Sequence, residues 1–214
     1  MEKQEKMNLY EAIFTRKTIK RFTTEALTAT ELRDIQEHYD GLPGLFGNIH
    51  TEMQILKDGD KMIRSGPFQG TRAPYYLVFY SEEAPRCQMN AGYLMQHMVL
   101  YLCTIGLGSC YLSTSVLRRG QRQLESGKSL VGIVGFGYSK ETHLRKRGDA
   151  RRLGIEELCV FKEIPRQWVR QLLEAARLAP SVGNAQPWRF VVYDNRIHIF
   201  TKKHQVERFA HYTQ

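Results

Sequence analysis

Between Arg86 and Arg118 the chain carries no Asp, Glu, Lys or Arg. In a protein whose residues are 25% charged, so long an uncharged stretch must be removed from water. The run Ala91–Leu112, 22 residues, is long enough at the rise of a helix to cross a bilayer. It also holds Gln96, His97, Thr104 and Ser109, with glycines at 92, 106 and 108. Polar side chains at its centre are costly in lipid, and the sequence offers no second span. The run therefore predicts a helix, Ala91–Ile105, buried on all sides at the centre of a soluble fold and stopped at Gly106 and Gly108.

The 214 residues suffice for one large domain or two small interlocked ones. A hydrophobic content of 42% rules out disorder as the default state. Residues 8–16 read as a short helix with Asn8 as N-cap, and Thr28-Ala29-Thr30-Glu31 is a capping box opening a helix to about Tyr39. Thr51–Lys57, Tyr75–Tyr80 and Leu130–Tyr138 read as strands. A second helical region begins at Pro165, with Trp168, Leu172, Ala175, Ala176 and Ala179 on one apolar face, and ends at Pro180. Arg189–Tyr193 and Arg196–Phe200 form a hairpin about Asp194-Asn195. This order predicts the α+β class: a central antiparallel sheet flanked by helices around a buried central one.

Lys plus Arg is 31 and Asp plus Glu 22, so the formal charge is 31 − 22 = +9, which suits an anionic partner or a basic surface. Residues 139–152 hold Lys140, His143, Arg145, Lys146, Arg147, Arg151 and Arg152, and read as an exposed linker. Cysteines 87, 103, 110 and 159 form no CxxC pair and no metal-ligand spacing with histidine, so no metal is expected. Buried thiols in a reducing compartment, and a charged N-terminus without an apolar signal core, predict a cytoplasmic protein with no membrane partner.

The sequence has no GxGxxG after a strand, no phosphate loop, no GxSxG elbow and no evident carboxylate pair. An enzyme of this kind would take its reactivity from a bound cofactor. Two clusters suit one. In Arg16-Lys17-Thr18-Ile19-Lys20-Arg21-Phe22, an extended chain puts Arg16, Thr18 and Lys20 on one side, two cations flanking a hydroxyl, which suits a phosphate. In Ala179-Pro180-Ser181-Val182-Gly183-Asn184-Ala185-Gln186-Pro187-Trp188, a helix ends in a polar loop displaying Ser181 and Asn184, which can bond a planar heterocycle. The plainer readings are a solvated basic run and a helix-to-strand turn.

Asn8–Phe22 and Ala179–Val192 together resemble the flavin-dependent nitroreductase family. That family has an Arg-x-Ser-x-Arg/Lys-x-Phe segment after a short first helix and an Ala-Pro-Ser-x-x-Asn-x-Gln-Pro-Trp segment at a helix end. Gly106–Leu112 resembles its Gly-Leu-Gly-x-Cys-Trp segment. The resemblance implies the nitroreductase-like fold and an FMN site. Arg16, Lys17 and Thr18 would hold the phosphate, with contacts added by one or two of Arg145, Lys146 and Arg147. Lys20 would stabilise charge on the reduced flavin, as an electrostatic tuner in a site with no catalytic side chain. Ser181 and Asn184 would contact the ring and the ribityl chain, with Pro180 and Val182 also at the cofactor, and the loop Tyr111, Leu112, Ser113, Thr114 would lie along one flavin face.

The resemblance is imperfect. Thr18 stands for Ser, Val182 for a second Ser, and Thr114 where Gly is common. The Pro-Ser-x-x-Asn motif lies more than 160 residues after the first motif, rather than a few tens. Pro43–Asn48 looks like a degenerate copy of it. This order resembles a divergent branch in which one chain folds as a pseudo-dimer: residues 1–150 would bear the phosphate side and 151–214 would complete the flavin site, in a monomer rather than a homodimer. The activity implied is NAD(P)H-dependent ping-pong reduction of a nitroaromatic, quinone or similar small electron acceptor. The competing readings are another flavin reaction on the same fold, dehalogenation or flavin fragmentation, and a flavin-free nucleic-acid-binding protein.

Overall fold

The computed structural model describes residues 7–64 and 71–202. The chain divides into two compact units, one up to Arg145 and one from Lys146.

The first unit contains α1 (Leu9–Thr15), α2 (Ala29–Asp40), β1 (Thr51–Lys57), β2 (Tyr75–Ser81), α3 (Cys87–Thr104), β3 (Gly108–Leu112) and β4 (Ser129–Gly137). The strands form an antiparallel sheet in the order β1-β2-β4-β3. Both early helices are opened by capping boxes. The Asn8 side chain accepts from Glu11 N and that of Thr28 from Glu31 N, while each glutamate accepts from the cap's own N–H.

β2 is buried at every residue because it lies inside the sheet with both faces covered. Tyr75, Leu77 and Phe79 face α2 and α3, where they meet Ile35, Leu94, Met98 and Leu102. Tyr76, Val78 and Tyr80 face the other way, toward Ile19, Phe22, Leu117 and Ile133. This is why β2 reads as a continuous apolar and aromatic run rather than an alternating one.

The uncharged stretch makes α3 and then β3. The helix is buried along Asn90, Ala91, Leu94, Met95, Met98, Val99, Leu102 and Cys103. It is not covered all round, since Met89 and Tyr93 are 58% and 41% exposed. Its buried asparagine has a clear use: Asn90 accepts from Phe46 N at 3.0 Å and donates to Ile49 O at 3.2 Å, pinning the Pro43–Asn48 loop. Among the described residues no helix is long and apolar enough to cross a membrane.

Three expectations need correction. Tyr111 and Leu112 belong to strand β3 and not to a loop; the register Tyr111↔Val134 and Leu112↔Ile133 pairs them with β4. Residues 139–145 are not a free linker. They return along the N-terminal segment, with bridges Phe22↔Ser139 and Arg16↔Leu144 and a bond from Arg145 N to Thr15 O at 2.7 Å. Of the four free cysteines three are buried, but Cys87 is only half-buried.

The second unit contains α4 (Ile155–Leu158), β5 (Cys159–Phe161), α5 (Gln167–Arg177), β6 (Trp188–Val192) and β7 (Ile197–Thr201). Its sheet is mixed, β5 running parallel to β6 and β6 antiparallel to β7. Tyr193 N donates to Arg196 O at 3.0 Å, closing the turn over Asp194-Asn195. α5 starts at Gln167 behind Arg166, so Pro165 precedes the helix instead of opening it. The helix buries Val169 and Leu173 against Leu158, Phe190 and Val192. The expected face loses Trp168 and Leu172, which are 45% and 52% exposed. Both stripes repeat at i, i+4, so periodicity alone could not choose between them.

Candidate functional site

The first group of candidates is assembled by a backbone track beside β3. After α1 the chain turns extended at Arg16, whose N–H still bonds Ala12 O. It then runs along Gly108 and Ser109: Thr18 bridges Ser109, and Ile19 N donates to Ser109 O at 2.9 Å. Ile19 is fully buried, which turns Thr18 and Lys20 out to solvent. Arg16 does not share their exposure. It is only 6% exposed, so the three side chains do not form one solvent-facing row.

A buried guanidinium this close to the sheet sets the local field. The charges of Arg16 and Arg145 both pull down on the Cys103 thiol, although burial wins and pushes it up to about 11. Two arginines thus bear on the last turn of α3, the negative end of its dipole. Arg145 also donates to Ile13 O at 3.5 Å. Arg16 likewise acts on Tyr111, where desolvation raises the phenol and the nearby cation opposes it. Tyr111 donates to Gln96 Oε1 at 3.0 Å. Lys20 acts in the same sense on the Cys110 thiol, which burial lifts to about 12.

The remaining candidates of this unit are less engaged with that centre. Lys17 Nζ pairs with Glu141 Oε2 at 3.1 Å. Leu112 packs into the core beside Gly135. Ser113 caps the short turn Thr114–Val116, accepting from Ser115 N and Ser115 Oγ. Among the described residues no group of three or more His, Cys, Asp or Glu could hold a metal ion.

The second group lies in the other unit. Arg147 is exposed, in a short turn Arg147–Asp149. Past the end of α5, Pro180 leads into Ser181 and a single 3-10 turn, Val182–Asn184. Val182 is 67% exposed. Ser181 Oγ accepts from Gln186 N at 3.0 Å. Asn184 Oδ1 accepts from Arg152 Nη1 at 2.7 Å, and Asn184 Nδ2 donates to Arg151 O at 3.0 Å. Gln186, 5% exposed, accepts from Leu153 N at 2.8 Å and donates to Asn184 O at 3.2 Å.

Sequence reasoning did not single out Gln96, Arg152 or Gln186 as site residues. Gln186 was legible, since it stands inside the long motif. Arg152 was one arginine in a basic run, and Gln96 one polar residue in an apolar helix; nothing local marked either.

The family model described as "Putative TM nitroreductase" matches residues 8–212. No curated protein matches the sequence. A putative nitroreductase from Thermotoga maritima superposes with a TM-score of 0.65 at 18% identity, covering 95% of this chain and 80% of its own. A putative nitroreductase in complex with FMN from Desulfovibrio desulfuricans gives 0.56 at 19% identity, covering 75% of this chain and 98% of its own. A putative NADH oxidase from Clostridium acetobutylicum gives 0.52 at 18% identity, covering 68% and 98%. At these identities the likeness is one of fold.

Proposed function

The chain belongs to the family described as "Putative TM nitroreductase", and from that membership we propose that it is an FMN-dependent oxidoreductase. The observation that carries the reading is the buried Arg16, held beside β3 with Arg145 in reach of the same α3 terminus. Two guanidinium groups bearing on one helix terminus are donors of the kind that suits a phosphate.

In this reading Arg16, Thr18 and Arg145 hold the phosphate. Lys17 is occupied by Glu141 and contributes least. Lys20, exposed and cationic, offsets negative charge on the reduced ring. In the second unit Ser181 and Asn184 carry donors suited to the carbonyl edge of a planar ring, and in the first Tyr111 offers an aromatic wall. Bound FMN would supply hydride transfer from NADH or NADPH to an electron-poor acceptor, such as a nitroaromatic or quinone. Each intact motif occurs once in the sequence, so we assign one FMN per chain. The protein's share is binding, orientation and electrostatics, with no side chain required as acid or base.

The test is titration of the purified chain with FMN, followed by quenching of flavin fluorescence. Saturable binding is expected, and Arg16→Ala should weaken it by about tenfold or more, the scale of a lost charge-assisted hydrogen bond. Addition of NADH or NADPH should bleach the bound flavin. A chain that takes up no FMN would sink the reading.

A further inference from the structure

The loop after α5 is unusual in its backbone. Gly183, Asn184 and Gln186 have φ of +58°, +56° and +47°. Residues with side chains seldom adopt this region, and it persists where surrounding contacts over-determine it. The contacts here come from one strap, Arg151-Arg152-Leu153. Arg151 O receives Asn184 Nδ2, Arg152 Nη1 meets Asn184 Oδ1, and Leu153 N meets Gln186 Oε1.

The chemistry of those partners fixes the amide. A guanidinium can only donate and a main-chain carbonyl can only accept. The oxygen of Asn184 must therefore face Arg152, and its nitrogen the Arg151 carbonyl. One Nδ2–H is left over. Ser181 Oγ already accepts from Gln186 N, so its hydroxyl proton is also left to donate.

Arg152 is placed at some cost. Its acceptors, Asn184 Oδ1, Arg151 O and Leu178 O, are all neutral. Its Nε is buried with no hydrogen-bond partner among the described residues. Burial, then the neighbouring Arg177, lowers its pKa. A plain cap for α5 would need only the arm to Leu178 O, at 3.4 Å. The shorter arm, to Asn184 at 2.7 Å, is left unexplained by that role.

We propose that Arg152 is a positioning residue for Asn184. With the Arg151 carbonyl it sets the orientation of the carboxamide, so that the loop presents two donors, Asn184 N–H and Ser181 O–H, to the carbonyl and ring-nitrogen acceptors of a planar heterocycle. The role rests on the flavin reading above.

The experiment is a double-mutant cycle on FMN affinity in the full chain, with Arg152→Met, Asn184→Ala and both together. Arg152→Met and Asn184→Ala should each weaken FMN binding by about tenfold, and the double variant should be no weaker than Asn184→Ala alone. In FMN-free protein the Asn184 side-chain amide signals in a 15N NMR spectrum should shift and broaden in Arg152→Met. If that variant does not fold, Arg152→Lys keeps the charge and stem. An ammonium lacks the fork that spans two acceptors, so it should show the same amide change and a several-fold loss. A wild-type chain that binds FMN beside an Arg152→Met that binds equally well overturns the role alone, as do additive losses or unmoved amide signals. A wild-type chain that binds no FMN overturns the flavin reading and this role with it.

Discussion

Gly108 and Ile19 are in contact so close that a Cβ built on Gly108 would stand 2.7 Å from Ile19 Cγ1 and 3.0 Å from its Cβ. The glycine lets the Arg16–Lys20 track lie directly on the first residues of β3. Ile19 is the buried pin of that track, and it decides where Thr18 and Lys20 stand.

Gly108→Ala should therefore push the track outward. Overpacking at a buried site destabilises by about 1–3 kcal/mol. Urea unfolding should show that loss, and FMN titration should show weaker binding. Unchanged unfolding and affinity would mean that Ile19 yields without moving its neighbours.

Lys20→Met should make bound flavin harder to reduce. One charge at partly solvated range is worth on the order of 1 kcal/mol, about 20 mV for a two-electron couple. The potential should move to more negative values against a dye of known potential. An unmoved potential would remove Lys20 from this role.

A pH dependence follows from two histidines between α2 and α3. His38 stacks on Tyr101 with ring centroids 3.6 Å apart, and His97 lies 5.3 Å from His38. Both Nε2 atoms are buried without a hydrogen-bond partner among the described residues. Desolvation lowers both pKa values from 6.5, and for His38 the neighbouring His97 adds to it. A folded pKa below the unfolded one favours the neutral ring. That contribution is fully present above pH 6.5 and is lost as pH falls through the lowered folded values. Stability should decline below about pH 6.5, and His97→Phe should flatten the decline. An identical pH profile in that variant would show that other groups set it.

Each intact motif occurs once in the sequence, so titration with FMN should saturate at one flavin per chain. An end point of two flavins per chain would overturn that stoichiometry.

The local signals in this chain were strong where chemistry is short-range. Asn8 and Thr28 marked helix starts because a cap needs an acceptor three residues before its donor, and both boxes form. The aromatic and β-branched run at 75–80 marked a strand, and the sheet order puts it inside. The two candidate motifs could be read for the same reason: each is a contiguous stretch rich in polar groups.

What tertiary structure decided was which of several equivalent local solutions is used. α5 carries two apolar stripes at i, i+4, and only packing against Leu158 and Phe190 selects Val169 and Leu173 over Trp168 and Leu172. Arg16 sits in an alternating basic run, yet it alone is buried, because the 139–145 segment closes over it through the bridge to Leu144. Arg152 meets Asn184 across 32 residues. No periodicity encodes such a pair, since its energy exists only once the chain has brought the two side chains together. Sequence determined most of the elements and the residue types of the candidate site; the burial of Arg16 and the orientation of Asn184 arise from contacts between distant segments.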